Sequence, residues 1–286
     1  MPRSLVVYFS QGGTTGKVAE AIASGLRFAG YDVDMCNIKD GLPPDIGGYS
    51  LLGIGLPVYW YRPPFNVMDY LHRLPEFNGL PAFVFVLYGT ERGDTSTTVR
   101  RLLARKGAKE VGYFHCRGVD YFLGYLKMGY LFSPGHPIEG ELAQAKQFGK
   151  AIAAHVDGKE YAKPDEDPRP AAIYRMERFL VNRWVTNHIF SRFFSADAKT
   201  CTRCGLCIKV CPVSNIKEDK EKYPAWGHNC MACFTCELKC PKDAVSSPID
   251  WPIFRPLLLY NVRRASRDPL LDHVRVIHIN GRTKVI

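Results

Sequence analysis

Two cysteine-rich runs decide the fold of the C-terminal part of the chain: Cys201-Thr-Arg-Cys204-Gly-Leu-Cys207-Ile-Lys-Val-Cys211-Pro212 and Cys230-Met-Ala-Cys233-Phe-Thr-Cys236-Glu-Leu-Lys-Cys240-Pro241. Together they hold eight of the ten cysteines. Both have the spacing C-x2-C-x2-C-x3-C-P, in which three closely spaced thiolates can each reach a different iron of one cubane. The spacing therefore predicts two [4Fe–4S] clusters.

The fourth cysteine of each run is predicted to bind the cluster of the other run, because the short step that ends in proline turns the chain away. One cluster is assigned to Cys201, Cys204, Cys207 and Cys240, and the other to Cys230, Cys233, Cys236 and Cys211. Structural zinc, which uses paired C-x2-C knuckles plus a distant pair, and a disulfide framework are the alternatives. A doubled four-cysteine run that ends in Cys-Pro matches neither pattern. Residues 195–250 resemble bacterial-type two-cluster ferredoxins, which implies a small α+β ferredoxin-like domain.

The N-terminal part opens on an apolar strand, Leu5–Phe9, followed by the loop Ser10-Gln-Gly-Gly-Thr-Thr15 and a helix to about Ala29. Such a loop offers backbone N–H groups and hydroxyls to a phosphate. A Walker A loop would need glycine at position 11 and Ser or Thr at position 18, where the chain has Gln11 and Val18. A dinucleotide fingerprint is absent as well, because Gly53-Ile54-Gly55 is followed by Val58 instead of a third glycine.

The segment Tyr8-Phe-Ser10-Gln-Gly-Gly-Thr-Thr15, with Val18-Ala19 behind it, resembles the FMN phosphate loop of flavodoxins. It departs from their pattern at Gly12, where threonine is common, and at Thr14, where asparagine is common. The resemblance covers about residues 1–157 and implies an α/β fold, a flavodoxin-like doubly wound parallel sheet, with FMN as cofactor.

Four further strands are predicted at residues 32–37, 50–56, 81–87 and 110–119, alternating with helices. The loops after the first, third and fourth strands should meet at the carboxyl edge of the sheet, where this fold holds its ligand. Aromatic side chains there could lie on the flavin, although such residues are more often part of a core. The predicted FMN-binding residues are Ser10, Gln11, Gly12, Gly13, Thr14, Thr15, Pro57, Val58, Tyr59, Trp60, Tyr61, Tyr88, Gly89, Thr90 and Gly93.

Four segments are predicted in order. They are a flavodoxin-like domain over 1–157, a linker with a basic amphipathic helix over 158–194, a two-cluster domain over 195–250, and a C-terminal extension over 251–286. The linker proper is placed at 157–170, and a hairpin is expected on Asn280-Gly281.

Three further segments, 120–137, 171–194 and 246–269, lie outside the motifs described above. One helix is predicted over 171–194, with Ile173, Met176, Leu180 and Trp184 on its apolar face. Residues 246–269 are predicted to be irregular because of their prolines. The insertion over 120–137 is rich in aromatic residues, which could cap the flavin or meet a partner; packing between the two domains is preferred.

The formal net charge is +10, and counting along the chain gives +4 over 168–200 and +5 over 251–286, so basic segments bracket the clusters. The predicted partners are other redox proteins, such as an acidic ferredoxin, with anionic lipid or no partner as alternatives. Nucleic acid is not expected, and a homo-oligomer is left open. Neither a signal peptide nor eighteen consecutive apolar residues is present, and reduced cysteines favour a cytoplasmic location.

No Ser/His/Asp set and no paired acid–base carboxylates are evident, so no catalytic residue is predicted and the chemistry is assigned to the cofactors. The chain resembles the flavodoxin–ferredoxin fusion proteins of anaerobes, which implies low-potential electron transfer that couples two-electron FMN steps to one-electron cluster steps. An FMN-dependent NAD(P)H or quinone reductase, with the clusters as an internal relay, is the alternative enzyme hypothesis. A non-redox binding module held together by its clusters is a third.

Overall fold

A computed structural model describes residues 1–41, 45–167 and 170–286. These residues form two compact units, the first made of 1–119 and 135–175 and the second of 120–134 and 176–286. Residues 168 and 169 of the predicted linker lie outside the described part. The domain limits drawn from the sequence stay predictions, and the structure adds that residues 120–134 group with the C-terminal unit. No described helix is long and apolar enough to cross a membrane.

The first unit is built on one parallel sheet flanked by helices. Its strands are β1 (Arg3–Tyr8), β2 (Asp32–Asn37), β3 (Leu51–Pro57), β4 (Pro81–Tyr88) and β5 (Lys109–Arg117). Its helices are α1 (Thr14–Phe28), α2 (Phe65–Arg73), α3 (Thr95–Arg105) and α5 (Glu139–Val156). Two elements that precede α5 in the chain, α4 (Leu123–Lys127) and β6 (Tyr130–Phe132), belong to the second unit.

The strands are ordered β2-β1-β3-β4-β5, and every neighbouring pair is parallel. This is the order of the flavodoxin-like doubly wound fold, so the predicted fold is confirmed. Leu5, Val6 and Val7 in β1 are completely buried, as expected where helices cover both faces of a parallel sheet. The order also places the ends of β1 and β3 side by side, where the predicted phosphate loop begins.

The Gly53-Ile54-Gly55 sequence in β3 has a packing function. Gly53 pairs with Phe83 of β4, and Gly55 pairs with Phe85. A Cβ atom on either glycine would come within about 2.2 Å of the facing phenylalanine ring. The two glycines therefore leave space for two core rings, so their presence is accounted for without a dinucleotide site.

The segment before residue 168, predicted as a linker, is held against α3. Its Asp167 side chain is 3% exposed and accepts hydrogen bonds from the backbone N–H groups of Ser96 (3.0 Å) and Thr97 (3.3 Å). Arg100 of α3 donates to the carbonyl oxygen of Pro164 at 3.0 Å. The negative charge at the positive end of α3 anchors this segment to the first unit.

The second unit consists of short elements. They are α6 (Ala172–Leu180), which begins at the end of the first unit, α7 (Arg183–His188), β7 (Ser195–Ala196), α8 (Leu206–Lys209), β8 (Ile216–Glu218), β9 (Pro224–Trp226), α9 (Thr235–Leu238), β10 (Val245–Ser246), α10 (Arg255–Ala265), β11 (His273–Ile279) and β12 (Arg282–Val285). The predicted hairpin is confirmed, since β11 and β12 pair antiparallel across Asn280 and Gly281, both of which have positive φ.

Two predictions about this part of the chain are wrong. The helix expected over 171–194 is broken, because the Asn182 side chain accepts a hydrogen bond from the N–H of Val185 and starts a new helix. Met176 and Trp184, predicted on the apolar face, are 46% and 63% exposed. Residues 255–265, expected to be irregular, form α10, because Pro256 lies in the first turn of the helix, where proline is tolerated.

The insertion after β5 supplies part of the second unit. Its strand β6 pairs antiparallel with β11, which brings Phe132 opposite His273. Phe132 is completely buried in a cluster with Val262 and Leu271. Lys127 of α4 forms ion pairs with the nearly buried Glu237 and with Asp250. The aromatic residues of the insertion thus help to build the core of the C-terminal unit.

Candidate functional site

The loop between β1 and α1 has the geometry of an anion site. The Ser10 Oγ atom accepts hydrogen bonds from the N–H groups of Gly13 (3.1 Å) and Gly16 (3.3 Å), which fixes the turn into the helix. Gly13 has a φ of +89°, and a Cβ atom there or on Gly12 would point into open space. The first turn of α1 carries no acidic residue, so its positive end can accept a phosphate.

The remaining hydroxyls of this loop belong to Thr14 and Thr15, the first two residues of α1. Thr15 is almost completely buried, whereas Thr14 is partly exposed. The donor set of the loop, namely backbone N–H groups, hydroxyls and a helix N-terminus, therefore suits the phosphate of FMN.

The loop after β3 forms a tight turn over Tyr59–Arg62, with hydrogen bonds of 3.0 and 3.1 Å between the backbones of its two end residues. The central residues Trp60 and Tyr61 have φ of 52° and 59°, a left-handed conformation that aromatic residues rarely adopt. Such strain is concentrated at ligand sites. The Tyr59 hydroxyl donates to Oε1 of Gln11, so this turn and the phosphate loop are joined.

The three aromatic rings of this turn differ in their surroundings. The ring of Tyr61 is buried and stacks on Tyr174, with ring centroids 4.2 Å apart. Tyr59 lies edge-on to Phe9, and Trp60 is partly exposed. Because one face of Tyr61 is covered by Tyr174, Tyr59 and Trp60 are better placed to contact a flavin.

The loop after β4 packs onto the same turn. The N–H of Val58, next to Pro57, donates to the carbonyl oxygen of Leu87 at 2.9 Å. A Cβ atom on Gly93 would lie 2.1 Å from the Tyr61 carbonyl oxygen, so this glycine is required by contact between the two loops. The predicted residues Tyr88, Gly89 and Thr90 are all partly exposed at the start of this loop. The three loops predicted to meet are therefore brought together.

Three residues near these loops were missed by sequence reasoning. The side chain of Asn37 at the end of β2 accepts from the N–H of Ser10 (3.1 Å) and donates to its carbonyl oxygen (3.2 Å). The guanidinium carbons of Arg92 and Arg117 lie 5.7 and 5.8 Å from the ring centroid of Tyr88. Nη1 of Arg117 is buried without a hydrogen-bond partner among the described residues, a donor that suits an anionic ligand.

The two cysteine runs have the same backbone conformation, repeated 29 residues apart. Arg203 and Ala232 are both left-handed (φ 58° and 52°), and α8 and α9 start at equivalent positions. The strand that precedes each run pairs antiparallel with the strand that follows the other run, namely β7 with β10 and β9 with β8. This exchange carries the last cysteine of each run toward the other run.

The eight cysteines surround two cavities. One, of about 430 Å³ with open solvent included, is lined by Cys201, Cys204, Cys207 and Cys240. The other, of about 310 Å³ on the same basis, is lined by Cys211, Cys230, Cys233 and Cys236. The grouping is the one expected for crossed ligation, and four thiols around each cavity suit one [4Fe–4S] cluster each. The assignment of these cysteines as iron ligands stays a prediction.

The thiols of the second cavity lie in a low-dielectric environment. Burial raises the pKa of the Cys230 thiol to about 12, and burial also raises the pKa of Cys236. Because iron binds thiolates, cluster assembly must release these protons. In both cavities a backbone N–H donates to the cysteine that comes from the end of the other run. The N–H of Asn215 donates to Cys211 Sγ (3.3 Å), and the N–H of Ala244 donates to Cys240 Sγ (3.2 Å).

Trp226 adds a polar group to the second cavity. Its indole Nε1 atom is buried and has no hydrogen bond of good geometry to any described atom. The indole N–H nevertheless lies close enough to Cys236 to lower the pKa of that thiol, against the larger effect of burial. A buried N–H close to a cysteine thiol fits a cluster, whose sulfur atoms accept hydrogen bonds.

Two family models match parts of the chain. Residues 5–125 match the family model of the flavodoxin domain, and residues 194–241 match that of the 4Fe-4S dicluster domain. No protein of curated function matches the chain.

Solved structures resemble part of the chain. A flavodoxin from the domain Archaea is 19% identical, with 54% of this chain and 99% of that one covered and a TM-score of 0.40. The Streptococcus pneumonia TIGR4 flavodoxin is 19% identical, with 54% and 99% covered and a TM-score of 0.43. Rubredoxin oxygen:oxidoreductase from the anaerobe Desulfovibrio gigas is 16% identical, with 54% and 36% covered and a TM-score of 0.42.

The two family models together support an iron–sulfur flavoprotein of electron transfer, with a flavodoxin domain that indicates FMN. More particularly, it joins that flavodoxin domain to a 4Fe-4S dicluster domain in one chain, which is the organisation of a flavodoxin–ferredoxin fusion.

Proposed function

We propose that this protein carries electrons at low potential between partner redox proteins and couples two-electron to one-electron steps. When bound, FMN supplies two-electron chemistry and each [4Fe–4S] cluster supplies one-electron chemistry. The observation that carries the proposal is the division of the eight cysteines into two sets of four, each around its own cavity. Two clusters and a flavin domain in one chain favour electron transfer over a purely structural function, for which one metal site suffices.

The chain's own residues bind and orient the cofactors in this proposal. The loop Ser10–Thr15 holds the FMN phosphate, and the backbone and side chains of residues 57–61 and 88–93 surround the ring system. Tyr59 links the two parts of the site through Gln11. No side chain is assigned an acid–base role. We further propose a cytoplasmic location, because eight reduced thiolates need a reducing compartment.

The test is the cofactor content of protein purified without oxygen. We expect about eight iron, about eight sulfide and about one FMN per chain, from eight cluster ligands and one phosphate loop. A matched preparation of the Cys204→Ser and Cys233→Ser double variant should lose iron but keep FMN. Zinc in place of iron after strictly anaerobic preparation would refute the proposal.

The rate of reduction by different electron donors distinguishes an electron carrier from a reductase. Anaerobic titration with NADH, NADPH and reduced ferredoxin, followed by flavin and cluster absorbance, should show rapid reduction by the protein donor and slow reduction by nicotinamides. Rapid bleaching of the flavin by NADH or NADPH would instead indicate a reductase that uses the clusters as its relay.

A further inference from the structure

The two cysteine-lined cavities of the second unit differ in exposure. Cys204, which lines the first cavity, is the exposed member of the eight ligand candidates. The cysteines of the second cavity are partly or fully buried, and apolar side chains such as Phe194, Met231 and Phe234 line the cavity with them. Because Cys204 is exposed, the first cavity is the more accessible to an external protein. This matters because electron transfer between proteins requires close approach of the two cofactors.

The charges around the two cavities differ as well. Three basic residues, Arg203, Lys222 and Lys242, line the first cavity, and its lining includes no acidic residue within 1–41, 45–167 and 170–286. Among the described residues, no acidic or basic side chain lines the second cavity. Basic side chains around one accessible centre create a local positive potential that attracts acidic proteins.

Arg203 is held in a defined position within this basic rim. It follows Cys201-Thr202 with a left-handed backbone (φ 58°), and its guanidinium donates to the Tyr223 hydroxyl at 2.7 Å. The guanidinium carbon also lies 4.2 Å from the centroid of the Tyr223 ring. The charge of Arg203 is therefore fixed next to exposed Cys204, instead of being spread over many side-chain conformations.

We propose that the cluster held by Cys201, Cys204, Cys207 and Cys240 is the port through which this protein exchanges electrons, and that an acidic redox protein docks on the rim formed by Arg203, Lys222 and Lys242. The inference deepens the proposed electron-transfer function and rests on it. It places the docking surface at the first cavity, not on the basic segments over 168–200 and 251–286 that bracket the clusters in the sequence. The competing explanation is that the rim only balances the negative charge of the cluster.

The experiment compares charge reversals by stopped-flow electron transfer to an acidic ferredoxin as the probe. Arg203→Glu with Lys242→Glu should lower the second-order rate constant about tenfold or more at ~0.01 M ionic strength, because steering acts on the association rate. The loss should shrink at ~0.15 M, where the Debye length falls to roughly 8 Å. Arg203→Lys should keep the rate within about twofold, because the charge is retained.

The matched comparison is Arg263→Glu with Arg267→Glu, which makes the same change in net charge at two exposed residues. We expect its rate constant to stay within about twofold of the unmodified protein, since these residues lie away from the cavity lining. A larger loss for this pair than for the rim pair would overturn the proposal. So would a rate constant that responds neither to salt nor to the rim variant.

Cofactor content and potentials are measured in the same samples, so that failure of the port and failure of the electron-transfer function stay distinguishable. Iron content and both cluster spectra should match the unmodified protein before any rate is compared. An equal rate loss at low and high salt, accompanied by a changed midpoint potential, would show charge balance instead of docking. Absence of clusters in the unmodified protein would refute the proposed function itself.

Discussion

Gly205 and Phe234 occupy equivalent positions in the two cysteine runs, and both adopt a left-handed backbone, with φ of 69° and 54°. Glycine adopts this conformation freely, whereas for phenylalanine it costs about 1–3 kcal/mol. Phe234 is 3% exposed, and its ring stacks on Phe194 with centroids 5.9 Å apart. The strain is thus offset by burial of an aromatic ring. Phenylalanine at position 234, where the first run has Gly205, makes the second cavity more apolar than the first.

Crossed ligation predicts which cluster a single cysteine supports. Cys211→Ser should resemble Cys233→Ser, not Cys204→Ser, in the electron paramagnetic resonance spectrum of the reduced protein, because Cys211 and Cys233 line the same cavity. Iron should fall to about half, since one of two clusters is lost. Cys36→Ser serves as the control, because Cys36 lies on β2 in the first unit. A spectrum like that of Cys204→Ser would contradict the assignment.

The phosphate loop predicts a flavin-specific defect. Ser10→Ala with Thr15→Ala should weaken FMN binding by about 3 kcal/mol or more, over 100-fold in Kd, because each hydrogen bond to a charged oxygen contributes about 1.5–3 kcal/mol. Loss of the Ser10 hydroxyl also releases the N–H groups of Gly13 and Gly16. Fluorescence titration measures the affinity, and Ser24→Ala on the same helix is the control. An unchanged Kd would mean that the phosphate lies elsewhere.

The indole of Trp226 predicts a change in one reduction potential. Trp226→Phe keeps an aromatic ring but removes the N–H beside Cys236. Hydrogen bonds to sulfur raise the reduction potential of a cluster, so we expect the reduction potential of the second cluster to fall. A hydrogen bond of about 0.5–1.5 kcal/mol corresponds to about 20–60 mV for a one-electron couple. Redox titration followed by electron paramagnetic resonance resolves the clusters, with Trp251→Phe as the control. Equal potentials in both proteins would exclude Trp226 from the cluster's surroundings.

The insertion predicts where a stability defect appears. Phe132→Ala should destabilise the C-terminal unit by about 3–5 kcal/mol, because a completely buried ring is lost from its core. Denaturant should bleach the clusters at a lower concentration, while flavin fluorescence should change at nearly the original midpoint. Tyr121→Ala, at a side chain that is 45% exposed, is the control. A defect confined to flavin binding would contradict the observed core.

Local patterns in the sequence were enough to predict the parallel sheet and the grouping of the cysteines. The buried strands are continuous apolar runs, such as that around Leu5, and the spacing of the cysteines is short and repeated. The hairpin at Asn280-Gly281 was predictable for the same reason, since a turn depends on two adjacent residues.

Features that depend on distant residues could not be predicted in this way. Phe132 pairs with a strand about 140 residues later in the chain, and no local periodicity identifies that partner. The helix over 171–194 was misjudged because the hydrogen bond of Asn182 outweighs a regular apolar spacing. The left-handed conformations of Trp60 and Tyr61 likewise come from the hydrogen bonds between Tyr59 and Arg62 that close their turn.

The pairing of β6 with β11 has a consequence for attempts to separate the two halves of the protein. The chain passes from one unit to the other three times, after residues 119, 134 and 175. A protease cut in the segment before α6 would therefore leave residues 120–134 of the second unit on the N-terminal fragment, held to the rest of that unit by noncovalent contacts such as the β6–β11 pairing. A gene fragment that starts at residue 176 would encode a C-terminal half that lacks β6 and has an unpaired edge along β11. The C-terminal redox unit therefore cannot be transferred to another protein as one continuous segment.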